Sequence, residues 1–214
     1  MNVCLNCMKA KGLYCQLLLV ICLMICFSLI SQVNASEVTP QKSAKTISVE
    51  YLSPTKDDRN IETVNFDFNV LAAEIEKLNL STYVGVVGTY ATGDITQLEG
   101  DINQGTLREV NYKNSAFGVG PGILLSFRLI EIGNVSFSLN GSGHFILYNK
   151  RFPAGGDYYN FMWRGGPVIE YKISGNKSVG VSYQESHVSN GQGVSPDNPS
   201  YDASGFALRY TSLF

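Results

Sequence analysis

The chain has 214 residues, a formal charge of −2 and few charged side chains. That length suits one domain with a large apolar surface to place, and the charge balance offers no basic field to gather nucleic acid or another polyanion. A nucleic-acid partner is therefore excluded from the readings that follow.

Residues 1–35 read as a secretory signal peptide. Lys9 and Lys11 precede an apolar run from Leu17 to Ile30, and Val33-Asn34-Ala35 supplies the small residues of a cleavage site. That run is 14 residues long, short of the roughly 20 a membrane-spanning helix needs. All five cysteines, at positions 4, 7, 15, 22 and 26, fall in this leader. The exported chain is thus expected to carry no thiol for a disulfide, a metal or nucleophilic chemistry, and Cys4-x-x-Cys7 has no second pair to complete a zinc site. A short polar segment, 36–45, then leads into a domain spanning 46–214.

Within that domain apolar residues alternate with small or polar ones at the period of two expected of strands. The segments are 46–54, 64–75, 78–92, 115–130, 135–149, 158–173, 178–189 and 203–214, an even number. In the fourth, Phe117, Val119, Pro121, Ile123, Leu125, Phe127 and Leu129 share one face, opposed by small residues such as Gly118, Gly120 and Gly122. In the sixth, Tyr159, Phe161, Trp163, Pro167, Ile169 and Tyr171 oppose Asn160, Arg164, Glu170 and Lys172. The stretch Phe68 to Leu80 reads equally well as an amphipathic helix, and is taken here as strand.

A soluble sandwich would bury the bulky faces. A membrane barrel turns them to lipid and fills its lumen with small and charged side chains. Connections 55–63, 93–114, 150–157 and 190–202 are long, whereas those near Glu76-Lys77, at 131–134 and at 174–177 are short, which is the alternation of external loops and periplasmic turns. Phe206, Leu208, Tyr210 and Phe214 alternate into a terminal aromatic residue, as in assembly signals of outer-membrane barrels. The expected fold is all-β: an eight-stranded antiparallel transmembrane β-barrel, placed in the outer membrane after signal-peptide export.

Chemistry gathers near the C-terminus. Glu185, His187 and Ser189 share the lipid-facing side of the seventh strand with Val179, Val181 and Tyr183, because side chains repeat direction every second residue. The same parity in the last strand carries Asp202 and Ser204 outward with Phe206, Leu208 and Tyr210. An ordinary hairpin would set His187 opposite about Ser204 and Ser189 opposite about Asp202. A hydroxyl becomes a nucleophile when an imidazole takes its proton and a carboxylate orients that imidazole, and Ser189, His187 and Asp202 have these chemistries. Glu185 is the alternative acid. His144, on the small-residue side of the fifth strand, reads as a structural lumen residue.

His187-Val-Ser189-Asn190, a glycine-bearing loop, Asn198-Pro199 and a following carboxylate resemble the C-terminal motif of the lipid A 3-O-deacylases of the outer membrane, the PagL type. The resemblance covers roughly the last thirty residues. It departs from the family pattern at Ser200, where glycine is usual, in a loop about one residue longer, and in Asp202, where Glu is commoner. It implies a barrel that hydrolyses the 3-hydroxyacyl ester at the 3 position of lipid A with no metal or cofactor. Ser189 would be the nucleophile, His187 the general base and Asp202 the orienting acid, with Asn190 a candidate for steadying the oxyanion. Lipopolysaccharide and outer-membrane lipids are then the expected partners, with room for a homodimer. The alternative is a non-enzymatic adhesion or structural barrel whose loops 93–114 and 150–157 bind a partner.

Overall fold

The computed structural model describes residues 43–56, 59–101, 104–191 and 199–213. The expected leader, 1–35, lies outside them. The strands are β1 (Ala44–Pro54), β2 (Arg59–Ile75), β3 (Leu80–Glu99), β4 (Arg108–Ile132), β5 (Val135–Tyr148), β6 (Tyr159–Ser174), β7 (Lys177–Ser189) and β8 (Tyr201–Leu213). Each pairs antiparallel with its predecessor, and β8 returns to β1, so the sheet closes into a barrel. Closure satisfies the backbone of both edge strands, which hydrocarbon would otherwise leave without partners.

Alternation drives the strands as expected: from Ala44 to Leu52 every second residue of β1 is buried and those between are exposed. At one end the connections are tight. The β2–β3 link is a 3-10 turn, Glu76–Leu78, closed by Asn79 in the left-handed region, and Gly133 takes a positive φ between β4 and β5. The Phe68–Leu80 stretch is strand through Ile75, with a bulge between Leu71 and Ala73 that explains its irregular pattern. At the opposite end lie the longer connections. Two of them are shorter than the sequence suggests: 59–63 is already strand, which leaves only 55–58 between β1 and β2, and most of 93–114 is strand, because β3 and β4 run on as a paired ribbon to Glu99 and Arg108. Its polar, glycine-bearing composition hides this ribbon: Ile95 alone of its described inward residues joins the apolar layer, while Gln97 and Asn114 donate to the Ala154 and Arg151 carbonyls of the β5–β6 connection.

The outer surface carries large apolar side chains in water-facing positions, among them Phe117, Val119, Leu139, Trp163, Ile169 and Leu208. A surface so extensively apolar belongs in lipid. No helix among the described residues is long and apolar enough to cross a membrane; the crossing is made by strands.

The lumen has two layers. At mid-height Arg164 bonds Glu50 Oε1 at 3.0 Å and Asp67 Oδ1 at 2.6 Å, Asn65 donates to Glu50 at 2.6 Å, and His144 Nε2 lies 3.3 Å from Arg164 Nη2. His144 fits because Gly122 faces it: a Cβ there would come 2.0 Å from the imidazole Cδ2. Towards the long connections the lumen is apolar instead, filled by Ile61, Val87, Ile146, Tyr148, Phe152, Met162, Val188 and Tyr201. This corrects the expectation of a lumen lined by small and charged side chains throughout. The physical reason is Phe152, which folds in from the β5–β6 connection, is fully buried, and packs its ring against Tyr148 and Tyr201.

Replacing one member of a buried ion network strands the others as uncompensated charges. Arg164→Leu is therefore expected to lower barrel stability by roughly 3–5 kcal/mol, read as a fall in the urea midpoint of the barrel folded in lipid vesicles. An unchanged midpoint would show that Glu50 and Asp67 do not depend on it.

Candidate active site

β7 and β8 carry the site, and their register decides it. His187 lies directly opposite Asp202, and Val188 opposite Tyr201. The hairpin is thus shifted by two residues from the expected pairing: Ser204 faces Glu185 rather than His187, and Ser189 lies beyond the last β7–β8 pair. Turn geometry fixes register only in short hairpins, and 190–200 is long. β8 is instead held on its other edge by β1, through Ser53 opposite Ser204 and Pro54 opposite Ala203, and Val188 and Tyr201 are locked together in the apolar layer behind the site.

The shift improves the contact. Directly opposed residues have Cβ atoms about 5 Å apart, a gap that one imidazole and the short carboxylate of Asp202 can fill. His187 Nδ1 and Asp202 Oδ1 are 2.6 Å apart. A carboxylate accepts only, so Nδ1 donates, leaving Nε2 as the nitrogen able to take a proton. Both side chains remain 30% exposed on the outward face.

Ser189 continues that face two residues beyond His187, roughly 6.7 Å along the strand by the rise per residue. Among the described residues no hydrogen bond joins its hydroxyl to the imidazole. Such bonds in unliganded sites are often long and tighten when substrate binds. Glu185 also faces outward, two residues on the other side of His187, but the carboxylate that meets the imidazole is that of Asp202. The Asn190 side chain, expected beside the oxyanion, is instead 1% exposed and donates from Nδ2 to Asp157 at 3.3 Å. Strand parity explains this: Asn190 follows Ser186 and Val188 onto the inner side of β7. The side chain is therefore turned away from the face that His187 and Ser189 share. His144, far down the lumen, belongs to the Arg164 network.

Three contacts were not legible in the sequence. Trp163, opposite His187 on β6, stacks its ring on the imidazole with centroids 5.9 Å apart and planes 28° apart. Lys56, from the β1–β2 connection, reaches Asp202 Oδ2 at 2.5 Å. Arg59 donates to the Ser200 carbonyl and, at 2.8 Å, lies on its hydroxyl. The parity of β6 signals that Trp163 faces outward, but only barrel order sets it beside His187. The cations carry no motif. No cluster of His, Cys, Asp and Glu suited to a metal occurs among the described residues.

No protein-family model and no curated protein matches the chain. Among solved structures it is similar to the outer membrane enzyme PagL, with 15% identity and a TM-score of 0.48 over 78% of this chain and 98% of that one. It is also similar to the Yersinia pestis outer membrane protein Ail in a phospholipid nanodisc, with 17% identity and a TM-score of 0.30 over 80% and 99% of the two chains. The outer membrane protein AlkL in lipid bilayers follows, with 11% identity and a TM-score of 0.34 over 83% and 96%.

Because Phe152 and Tyr201 back the site from inside, Phe152→Ala is expected to cost about 3–5 kcal/mol through the cavity it opens. The same change should loosen the His187–Asp202 bond, measurable as faster exchange of the imidazole N–H proton by NMR.

Proposed function

We propose that the protein is an outer-membrane ester hydrolase that removes the 3-hydroxyacyl chain from the 3 position of lipid A. The observation that carries this reading is the 2.6 Å bond between His187 and Asp202 on the lipid-facing side of the barrel, with Ser189 next along the same face. An imidazole and a carboxylate are costly against lipid. Their pairing beside a hydroxyl, at the end bearing the long connections, fits a substrate that is itself a membrane lipid. In barrels of this kind the long connections are external, which supports a site in the outer leaflet and a substrate such as lipid A.

The chemistry follows from the residues. His187 Nε2 takes the Ser189 proton as Oγ bonds to the ester carbonyl carbon. The tetrahedral intermediate collapses by breaking the bond to the sugar oxygen, which receives that proton, and leaves the acyl chain on Ser189. Water then attacks the acyl-enzyme, giving its proton to His187, and the hydroxy fatty acid departs as Ser189 regains a proton. Asp202 holds the imidazole in the required tautomer and stabilises the imidazolium formed in each half. Trp163, stacked on the ring, restricts its rotation and presents an apolar surface to the acyl chain.

A second reading has an observation of its own. β3 and β4, at 20 and 25 residues, project as a ribbon with exposed Leu98 and Leu107 near its tip, a surface suited to a partner in a non-enzymatic barrel.

Mass spectrometry of lipid A from an outer-membrane host expressing the chain separates the two. Loss of one 3-hydroxyacyl chain is expected with the native protein. Ser189→Ala should reduce the rate by at least about 10³-fold and Asp202→Asn by roughly 10²–10⁴-fold, while Glu185→Gln retains activity. Intact lipid A in the presence of folded barrel would sink the hydrolase and favour the ribbon.

A further inference from the structure

We propose that Lys56 is a positioning residue of this site, its ammonium clamping the Asp202 carboxylate in the orientation that holds His187. The inference rests on the hydrolase reading for its catalytic consequence, but its geometry stands apart from it. Asp202 divides its two oxygens: Oδ1 meets His187 Nδ1 at 2.6 Å, and Oδ2 meets Lys56 Nζ at 2.5 Å. A carboxylate held at one oxygen can swing about its Cβ–Cγ bond; held at both, it cannot. Asp202 is the second residue of β8, next to the long connection.

The β1–β2 connection is tied to this spot by more than one bond. The Thr55 amide donates to the Asp202 carbonyl at 3.1 Å, and Arg59, at the far side of that connection, grips Ser200 through its carbonyl and hydroxyl. The backbone of Asp202 is thus anchored by Thr55 and its side chain by the next residue, Lys56. Among the described residues the other carboxylate on the outward side of β7, Glu185, lies below His187 and opposite Ser204.

Stability does not explain the pair. Lys56 is 55% exposed and Asp202 30%, and ion pairs so open to solvent add little to folding. What the contact does supply is geometry, and small misplacements of catalytic groups are costly in rate.

The test uses the exported barrel folded in detergent micelles, with histidine labelled by nitrogen-15. The Nδ1–H resonance bonded to Asp202 is identified by its loss in His187→Gln. Lys56→Met is expected to broaden or abolish that resonance, while Lys56→Arg keeps it. On lipid A, Lys56→Met should lower kcat by about ten- to a hundredfold with KM little changed, and Lys56→Arg should restore kcat. The gel mobility shift of the folded barrel and its urea midpoint should match the native protein in both variants. An unaltered resonance in Lys56→Met overturns the clamp. So does a rise in KM at constant kcat, which would make Lys56 a binding contact for the anionic head group, or a fallen urea midpoint, which would make it a structural tie. Should the native barrel release no fatty acid, the hydrolase reading fails, and the resonance alone decides whether Lys56 holds Asp202.

Discussion

Closure of β8 onto β1 is the constraint on which the rest of this structure depends. Hydrocarbon offers no partner to a free backbone amide or carbonyl, so a sheet in lipid must have no edge. Once the first and last strands must pair, each residue of β8 acquires two neighbours whose identity is set by the whole circuit of strands. The opposition of His187 and Asp202 is one result. A shift of a single residue would turn one of them into the lumen, and a shift of two would replace the carboxylate with Ser204.

The barrel's interior serves that closure in two ways. At mid-height Arg164 draws Glu50 of β1 and Asp67 of β2 across the lumen from β6, a set of charges that costs much to bury and more to leave incomplete. Nearer the long connections, Phe152 caps an apolar layer that includes Val188 and Tyr201, the inward neighbours of His187 and Asp202. The outward pair therefore stands on a packed wall.

Polar residues on the lipid face are few enough to be informative. Along β7 the outward positions run Val179, Val181, Tyr183, then Glu185, His187 and Ser189. The change from apolar to polar occurs as the strand approaches the end with long connections, where the interface begins. Position along the strand thus sets these polar side chains apart from the apolar ones that face the middle of the bilayer. The contacts that Trp163 and Lys56 make with this group come from opposite sides, one from β6 and one from the β1–β2 connection.

Fold class, strand number and the outward faces of β4, β6, β7 and β8 were readable in the sequence, because a two-residue period between lipid and lumen is a local property of the chain. The same local rule placed His187, Ser189 and Asp202 on one face, and hid Asn190 on the other, although its adjacency to Ser189 in sequence suggested a shared role. Register, the extent of the β3–β4 ribbon, the apolar cap of the lumen and the Lys56 and Trp163 contacts were decided by tertiary structure alone. Alternation says which way a side chain points but not how far its strand has slid along its neighbour. That displacement is set by the closed circuit of hydrogen bonds and by packing inside the barrel, which no short stretch of residues contains.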